Sequence, residues 1–355
     1  MNLWLHPAQS DTQKMFSRLT VIVPAYNEAE SIADTIHSLQ EQTLLPEEII
    51  VVDDCSNDGT GEVARNCGVT VIRTSTNTGS KAGAQNFALS KVRTAFTMAI
   101  DADTTLAPDA IEKLLAAFVD PRVAAACGFV IPRHVNTVWE RGRYMEYLLA
   151  FTWYKPIQDY YEKPLISSGC FSVYRTDILR RNGGWSTRTL AEDMDLTWSF
   201  YQAGHQIRFI PQAVCYPIEP HNFTFMRKQL RRWSHGFVQN VQLHWRGLLN
   251  IAYLRSAVAI MLWDAVIASL TYLLLLPVLA LLFKQPIFLL GYVIDIPALL
   301  VPTLFKAVPR KEVWRVISSL PAFFILRMVN GIFILEALWI EVVRRRPLRV
   351  YEKGH

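Results

Sequence analysis

Ala95-Phe-Thr-Met-Ala-Ile-Asp101-Ala-Asp103 is an apolar run that ends in two carboxylates one residue apart. On an extended strand, residues i and i+2 point to the same face, so both carboxylates could reach one ion. In an open α/β sheet, ligands sit at the carboxyl ends of the strands, and this pair falls at such an end. Oxygen-only ligands there suit Mg2+ or Mn2+, held by one or two carboxylates plus substrate phosphates. The plain alternative is that Asp101 ends a strand and Asp103 caps the next helix. These nine residues alone do not choose.

The segments before it repeat one pattern. Leu19 to Ala25 reads as a buried first strand, and Glu28 to Gln42 carries Ile32, Ile36 and Leu39 at helical spacing. Glu48 to Asp53 reads as a second strand and Asp54-Cys-Ser-Asn-Asp-Gly59 as a turn. Val69 to Arg73 follows as a strand, Lys81 to Ser90 as a helix, and Ala95 to Asp101 as the fourth strand. Such alternation predicts βαβ units and a mostly parallel sheet with helices on both faces. No GxGxxG follows the first strand and there is no GxxxxGK[ST] loop, which argues against a dinucleotide-binding Rossmann domain and a P-loop NTPase.

Two strand ends carry candidate ligand groups. Pro24-Ala25-Tyr26-Asn-Glu28 follows the first strand and Asp53-Asp54 the second. Tyr26 offers a flat face to a base, and a carboxylate at Asp54 can accept the imide N–H of uracil. One of the two aspartates is expected to be spent on an Asx-turn. Further on, Ile166 to Arg175 reads as a strand that starts at Gly169, and Gly183-Gly184-Trp185 leads to Glu192-Asp193-Met-Asp195 at a helix start. Acids there complement the helix dipole, worth about 0.3–1 kcal/mol each. One of them could also be a general base for a sugar hydroxyl. On the next helix Gln229, Arg232 and Trp233 share one face. Arg227, Lys228 and Arg231 beside them suit an interfacial helix on acidic lipid, whereas Gln, Arg and Trp together suit a pyrophosphate and a sugar ring.

Half of the 355 residues are apolar (51%), and the excess gathers at the back of the chain. Three runs stand out: 257–283, 287–305 and 316–343. The first could extend about 40 Å as a helix, enough to cross a bilayer. The first two are expected to form a transmembrane hairpin. The third is spanning, re-entrant near Asn330-Gly331, or in the interface, because the basic clusters around Lys306–Arg315 and Arg344–Arg349 both favour the cytoplasm. Met1 to Arg18 is a polar tail without the apolar core of a signal peptide, so the N-terminal domain is expected to be cytoplasmic in a multi-pass membrane protein. The five cysteines (Cys55, Cys67, Cys127, Cys170, Cys215) form no CxxC pair and read as free thiols. The net charge of +5 is concentrated near the apolar runs, which favours anionic lipid over nucleic acid as a partner.

With these motifs in order, the chain resembles glycosyltransferase family 2, in the membrane-embedded branch of hyaluronan, chitin and cellulose synthases. The resemblance rests on Pro24-Ala-Tyr26, Asp53-Asp54, Lys81-Ala-Gly-Ala-Gln-Asn, Asp101-Ala-Asp103, Glu192-Asp193 and Gln229-Leu-Arg-Arg232-Trp233, between Leu19 and Trp245. It implies a GT-A domain over 19–220, an interfacial helix over 221–248, a helical membrane domain over 251–343 and a basic tail over 344–355. The implied reaction is an inverting transfer from a nucleotide-diphosphate sugar, usually UDP-linked, to a carbohydrate or lipid-linked acceptor. Pro24, Ala25, Tyr26 and Glu28 would line the base pocket, Asp54 hold the uracil and Lys81 approach the diphosphate. Asp101 would contact the nucleotide and Asp103 a Mg2+ or Mn2+ ion. Asp193, next to Glu192, would deprotonate the acceptor. Gln229 and Arg232 would meet the pyrophosphate and Trp233 stack under the acceptor sugar.

Two departures bear on the product. Ala191 stands where many relatives have Thr before Glu-Asp, and no transmembrane helices precede the catalytic domain. So few membrane segments leave three outcomes open: a channel built by a homo-oligomer, a minimal channel, or no export, with a single sugar added to a membrane acceptor. A non-catalytic sensor of nucleotide sugars is the reading from another class. It requires a broken site, whereas every acidic position here is occupied.

Overall fold

The computed structural model describes residues 18–348 apart from 295. The polar N-terminal tail before Arg18, Asp295 and the end of the basic tail from Arg349 therefore lie outside the described residues. The chain divides into two compact units. The first comprises the chain up to Val130, Ile166–Thr187 and Ser199–Pro217; the second comprises Ile131–Leu165, Arg188–Trp198 and everything from Ile218 onward.

The first unit is built on one eight-stranded sheet: β1 (Leu19–Ala25), β2 (Glu48–Asp53), β3 (Thr70–Arg73), β4 (Phe96–Ile100), β5 (Thr104–Leu106), β6 (Val123–Val130), β7 (Phe171–Arg175) and β8 (Gln206–Pro217). The order across the sheet is β3-β2-β1-β4-β7-β6-β8-β5. β4 and β6 are buried along their whole length, as their unbroken apolar runs require of strands covered on both faces. The helix after β1 spans Ile32–Gln40 and buries Ile32, Ile36 and Leu39, the spacing read from sequence. The helix Lys81–Leu89 is capped by Ser80, whose hydroxyl accepts from Gly83 N at 3.1 Å.

The sheet is more mixed than the alternation predicts. β1, β2, β3 and β4 pair in parallel, as do β6 and β8, but β7 runs antiparallel to both β4 and β6, and β5 antiparallel to β8. The reason is local. β7 begins beside the end of β4, where Asp101 N donates to Cys170 O at 3.3 Å, so it must run back along its neighbour. That reversal carries the Gly169-Cys170 loop to the carboxylate end of β4.

The second unit is helical. The helix Val138–Leu149 starts with a full capping box between Thr137 and Glu140. Met226, Leu230, Leu326 and Phe333 form one apolar cluster with Trp139 and Val329 packed on it, which joins this helix to Phe223–Leu248 and Val313–Leu338. Two helices, Ala252–Leu282 and Val313–Val343, each of 31 residues, are long and apolar enough to cross a bilayer. The expected hairpin is not seen in that form. Its second arm is split into a 3-10 turn, Pro286–Val293, and a short helix, Ile296–Ala307. Pro297 lies in the first turn of that helix, where a missing N–H costs nothing, so the run restarts there instead of passing through. The third run is continuous and does not turn back at Asn330-Gly331. Gly331 instead permits close helix packing: a Cβ there would lie 3.0 Å from Ser269 Oγ.

The acidic helix Glu192–Gln202 is anchored at Asp195. Arg188 Nε and Nη2 donate to its two oxygens at 2.7 and 2.6 Å, and His244 Nε2 lies 2.7 Å from Oδ1. Burial pushes the carboxyl up, but the hydrogen bonds and charges of His244 and Arg188 outweigh it and hold the pKa at about 2, below the ordinary 3.8. A depressed carboxylate contributes stability that is complete above its unfolded pKa and lost as pH falls through the folded one. Asp195→Asn is therefore expected to cost about 2 kcal/mol at neutral pH and to flatten the loss of stability between about pH 4 and pH 2. Tryptophan-fluorescence unfolding across pH checks this; an unchanged acid limb would refute it.

Candidate active site

In the first unit the strand ends place the predicted donor residues. Pro24 and Ala25 close β1 in register with Val52 and Asp53 of β2. Tyr26 follows, with 39% of its surface exposed. Glu28 turns inward to its own helix start: its carboxylate accepts from Ser31 Oγ at 2.8 Å and its N–H donates to Thr60 Oγ1 at 2.8 Å. The two adjacent aspartates separate in role. Asp53 is fully buried, accepts from Ser56 N at 2.9 Å and pairs with Arg73, so it is the turn-forming member. Asp54 accepts from Thr74 Oγ1 at 2.8 Å and from Thr78 N and Oγ1 at 2.9 and 2.8 Å, which binds the loop after β3 to the end of β2.

Asp101 and Asp103 do not stand on an extended strand. β4 ends at Ile100, and Thr104 N donates to Asp101 O at 3.2 Å, so the pair lies in a turn that feeds β5. Asp103 caps no helix either, because the next element is a strand. The buried Ala102 between them is held by Thr35 Oγ1, which donates to its carbonyl at 2.8 Å. Lys81 Nζ forms an ion pair with Asp101 and donates to Gly169 O at 2.9 Å. The structure thus brings Lys81, Asp101 and the β7 loop together, with Asp103 two residues on. Asp103 Oδ1 accepts from Thr104 Oγ1 at 3.1 Å. Among the described residues no group of three or more His, Cys, Asp or Glu could hold a metal. Asp103 is partly exposed, and a single carboxylate suits Mg2+ or Mn2+, which keep several positions for water and substrate phosphates.

In the second unit the three acids of Glu192–Gln202 also diverge. Asp195 is committed to Arg188 and His244, Glu192 is buried, and Asp193 is partly exposed in the first turn. Met194 N donates to Asp193 Oδ1 at 2.8 Å. Of the three, Asp193 has the exposure a base needs.

The motif helix Phe223–Leu248 is oriented by a residue the sequence did not single out. Arg143 has no exposed surface. Its guanidinium donates to Gln229 Oε1 at 2.6 Å, pairs with Glu146 and with Glu219 at 3.3 Å, and lies 4.5 Å from the Trp233 ring centroid. Gln229 and Trp233 therefore converge on Arg143, as their shared helical face permits. Arg232 lies on the same helix and is partly buried. Burial works against the charge on Arg143, but Glu146, Tyr147 and Glu219 outweigh it and raise its pKa. Burial raises the Glu219 carboxyl, opposed by Arg143. Neither Arg143 nor Glu219 sits in a recognisable spacing. Glu219 is a lone charge in Ile218-Glu-Pro-His221, whereas Arg143 stands among other charges in Trp139-Glu-Arg-Gly-Arg-Tyr144, where nothing marks it out.

Residues 20–183 match the family model described as "Glycosyl transferase family 2". Over 223 residues, 61% of the chain, it is 26% identical to a poly-beta-1,6-N-acetyl-D-glucosamine synthase of Staphylococcus epidermidis. The corresponding synthase of Staphylococcus aureus strain COL is 27% identical over the same length. The chain spans about half the length of these relatives, 54% in each case. A mannosyltransferase from Pyrobaculum calidifontis, solved in complex with GDP-Man and Mn2+, superposes with a TM-score of 0.57 at 20% identity, covering 90% of this chain and 87% of that one. At that identity the likeness speaks for the fold, which is GT-A-like. Residues 20–183, with their sheet and strand-end carboxylates, carry the likeness to glycosyl transferase family 2.

Proposed function

We propose that this protein is a membrane-bound, inverting glycosyltransferase that moves a sugar from a UDP-linked donor to a growing polysaccharide. The observation that carries the reading is the Lys81–Asp101 pair with Asp103 beside it, at the end of β4 inside the segment that matches the family. The curated relatives named above make a polymer of N-acetylglucosamine, which favours the polysaccharide product.

Tyr26 and Asp54 hold the base and Lys81 the diphosphate. Asp101 contacts the nucleotide, and Asp103 would hold Mg2+ or Mn2+, which would supply charge neutralisation at the diphosphate. Asp193 takes the proton of the acceptor hydroxyl as its oxygen bonds to the anomeric carbon. The bond from that carbon to the phosphate oxygen breaks, UDP leaves with the electron pair, and configuration inverts. Arg232 and Gln229 stabilise the departing pyrophosphate, and Trp233 supports the acceptor ring. The catalytic part faces the cytoplasm, consistent with the basic Arg344-Arg345-Arg346 that follows the last apolar helix.

One observation favours a second reading, transfer of a single sugar to a lipid or other membrane acceptor. Among the described residues only two helices are long and apolar enough to cross a bilayer, too few for one chain to surround a polymer. Export would then need a homo-oligomer.

Membranes carrying the protein are expected to release UDP from at least one of UDP-glucose, UDP-N-acetylglucosamine and UDP-glucuronate. Asp193→Asn is expected to bind UDP normally and to lose about 100-fold or more in transfer; undiminished transfer would remove Asp193 as the base. Chelation with EDTA is expected to stop UDP release and added Mn2+ or Mg2+ to restore it. Asp103→Asn is expected to raise the metal concentration needed for half-maximal rate, and full activity in EDTA would refute the metal assignment. Sizing of radiolabelled product separates polymer from a one-sugar adduct.

A further inference from the structure

Beyond Trp233, the helix Phe223–Leu248 turns one face to the loop that precedes the acids. Gly236 approaches Ala191 so closely that an added Cβ would lie 2.7 Å from Ala191 Cβ and 2.8 Å from its backbone N. Gln239 Oε1 accepts from Leu190 N at 3.0 Å. Asn240 Nδ2 donates to Ala191 O at 3.1 Å and to Thr189 Oγ1 at 3.2 Å. His244 reaches Asp195. Residues 236, 239, 240 and 244 follow the i+3, i+4 rule, so one stripe of this helix holds the backbone from Thr189 to Ala191 and the first turn of the acidic helix.

Gln239 also faces the end of the chain. Its Nε2 donates to Glu341 Oε1 and to Leu348 O, each at 2.9 Å. The same Glu341 oxygen lies 2.6 Å from His235 Nδ1 and accepts from Leu348 N at 3.0 Å. His235 and Glu341 are both buried. The segment after the last long helix thus folds back onto the helix that carries the Gln229–Trp233 motif.

We propose that Glu341 and Gln239 are positioning residues for Asp193, so that the C-terminal segment holds the acceptor base in place. The argument is one of amide polarity. Two acceptors, Glu341 and Leu348 O, face the amide nitrogen of Gln239, and a donor, Leu190 N, faces its oxygen. A flipped amide would set oxygen against carboxylate and N–H against N–H. Glu341 therefore dictates the orientation of Gln239, and that orientation gives the buried Leu190 N–H its partner two residues before Glu192. An unpaired N–H there would loosen the start of the acidic helix. This inference rests on Asp193 as base.

The test reverses the polarity. Gln239→Glu keeps an acceptor for Leu190 N but opposes the Glu341 carboxylate. Adding Glu341→Gln supplies a donor to the new carboxylate. The single Gln239→Glu variant is expected to lower kcat for UDP release from UDP-N-acetylglucosamine, UDP-glucose or UDP-glucuronate by about tenfold or more, with donor KM within about twofold. Hydrogen exchange is expected to quicken in the peptide over residues 188–195 and not in the β-sheet. The double variant is expected to return both readouts to near wild type. Wild-type kcat in Gln239→Glu, a loss that Glu341→Gln does not relieve, or exchange that rises evenly along the chain would each overturn the proposal. Retained transfer in Asp193→Asn overturns the base assignment and the positioning role with it, while the exchange measurement still decides the Glu341–Gln239 tether by itself.

Discussion

A guanidinium with no access to water organises the second unit. Arg143 cannot be buried alone, because a charge in an apolar interior must be paired and hydrogen-bonded. It gathers Glu146, Glu219, Gln229 and the Trp233 ring around itself, and these come from the helix Val138–Leu149, the segment before Phe223 and the motif helix. Losing any partner would leave part of that charge uncompensated, so the orientation of the motif helix is tied to this pairing. Gln229 and Trp233 are thereby held against Arg143, and the proposed function asks the same two residues to face substrate.

The first unit solves a comparable problem at its strand ends. Asp53 is neutralised by Arg73 and Asp101 by Lys81, while Asp54 is satisfied by threonine hydroxyls and a backbone N–H. Carboxylates are concentrated where βαβ topology leaves loops free to bind ligands, and each has a partner that holds it in place. Lys81 is especially economical in this respect. It ties the start of one helix to the end of β4 and to the β7 loop, so three elements share one charge.

Much of the first unit was legible because parallel strands and their helices announce themselves through continuous and 3.6-periodic apolar runs. β1, β2, β4 and the helix Lys81–Leu89 lie where the pattern puts them. The antiparallel placement of β7 was not legible, since pairing partners far apart in sequence leave no periodic signature. Nor was the turn at Asp101–Thr104, because i, i+2 acids look alike in a strand and in a turn. The apolar runs misled in one respect. Hydropathy alone ranked 287–305 with its neighbours, and the restart at Pro297 splits it.

The sequence by itself determined the resemblance to glycosyl transferase family 2, the candidate acids and the apolar character of the C-terminal part, because these depend on residue types at short spacing. Tertiary structure decided which acids are committed to structural partners. Asp53 and Asp195 became structural through Arg73, Arg188 and His244, while Asp193 kept an exposed edge. It also revealed Arg143 and the Glu341–Gln239–Leu190 chain, whose members lie up to 151 positions apart. Polar satisfaction is a property of three-dimensional neighbours, and no local pattern encodes who will supply the partner for a buried charge or N–H.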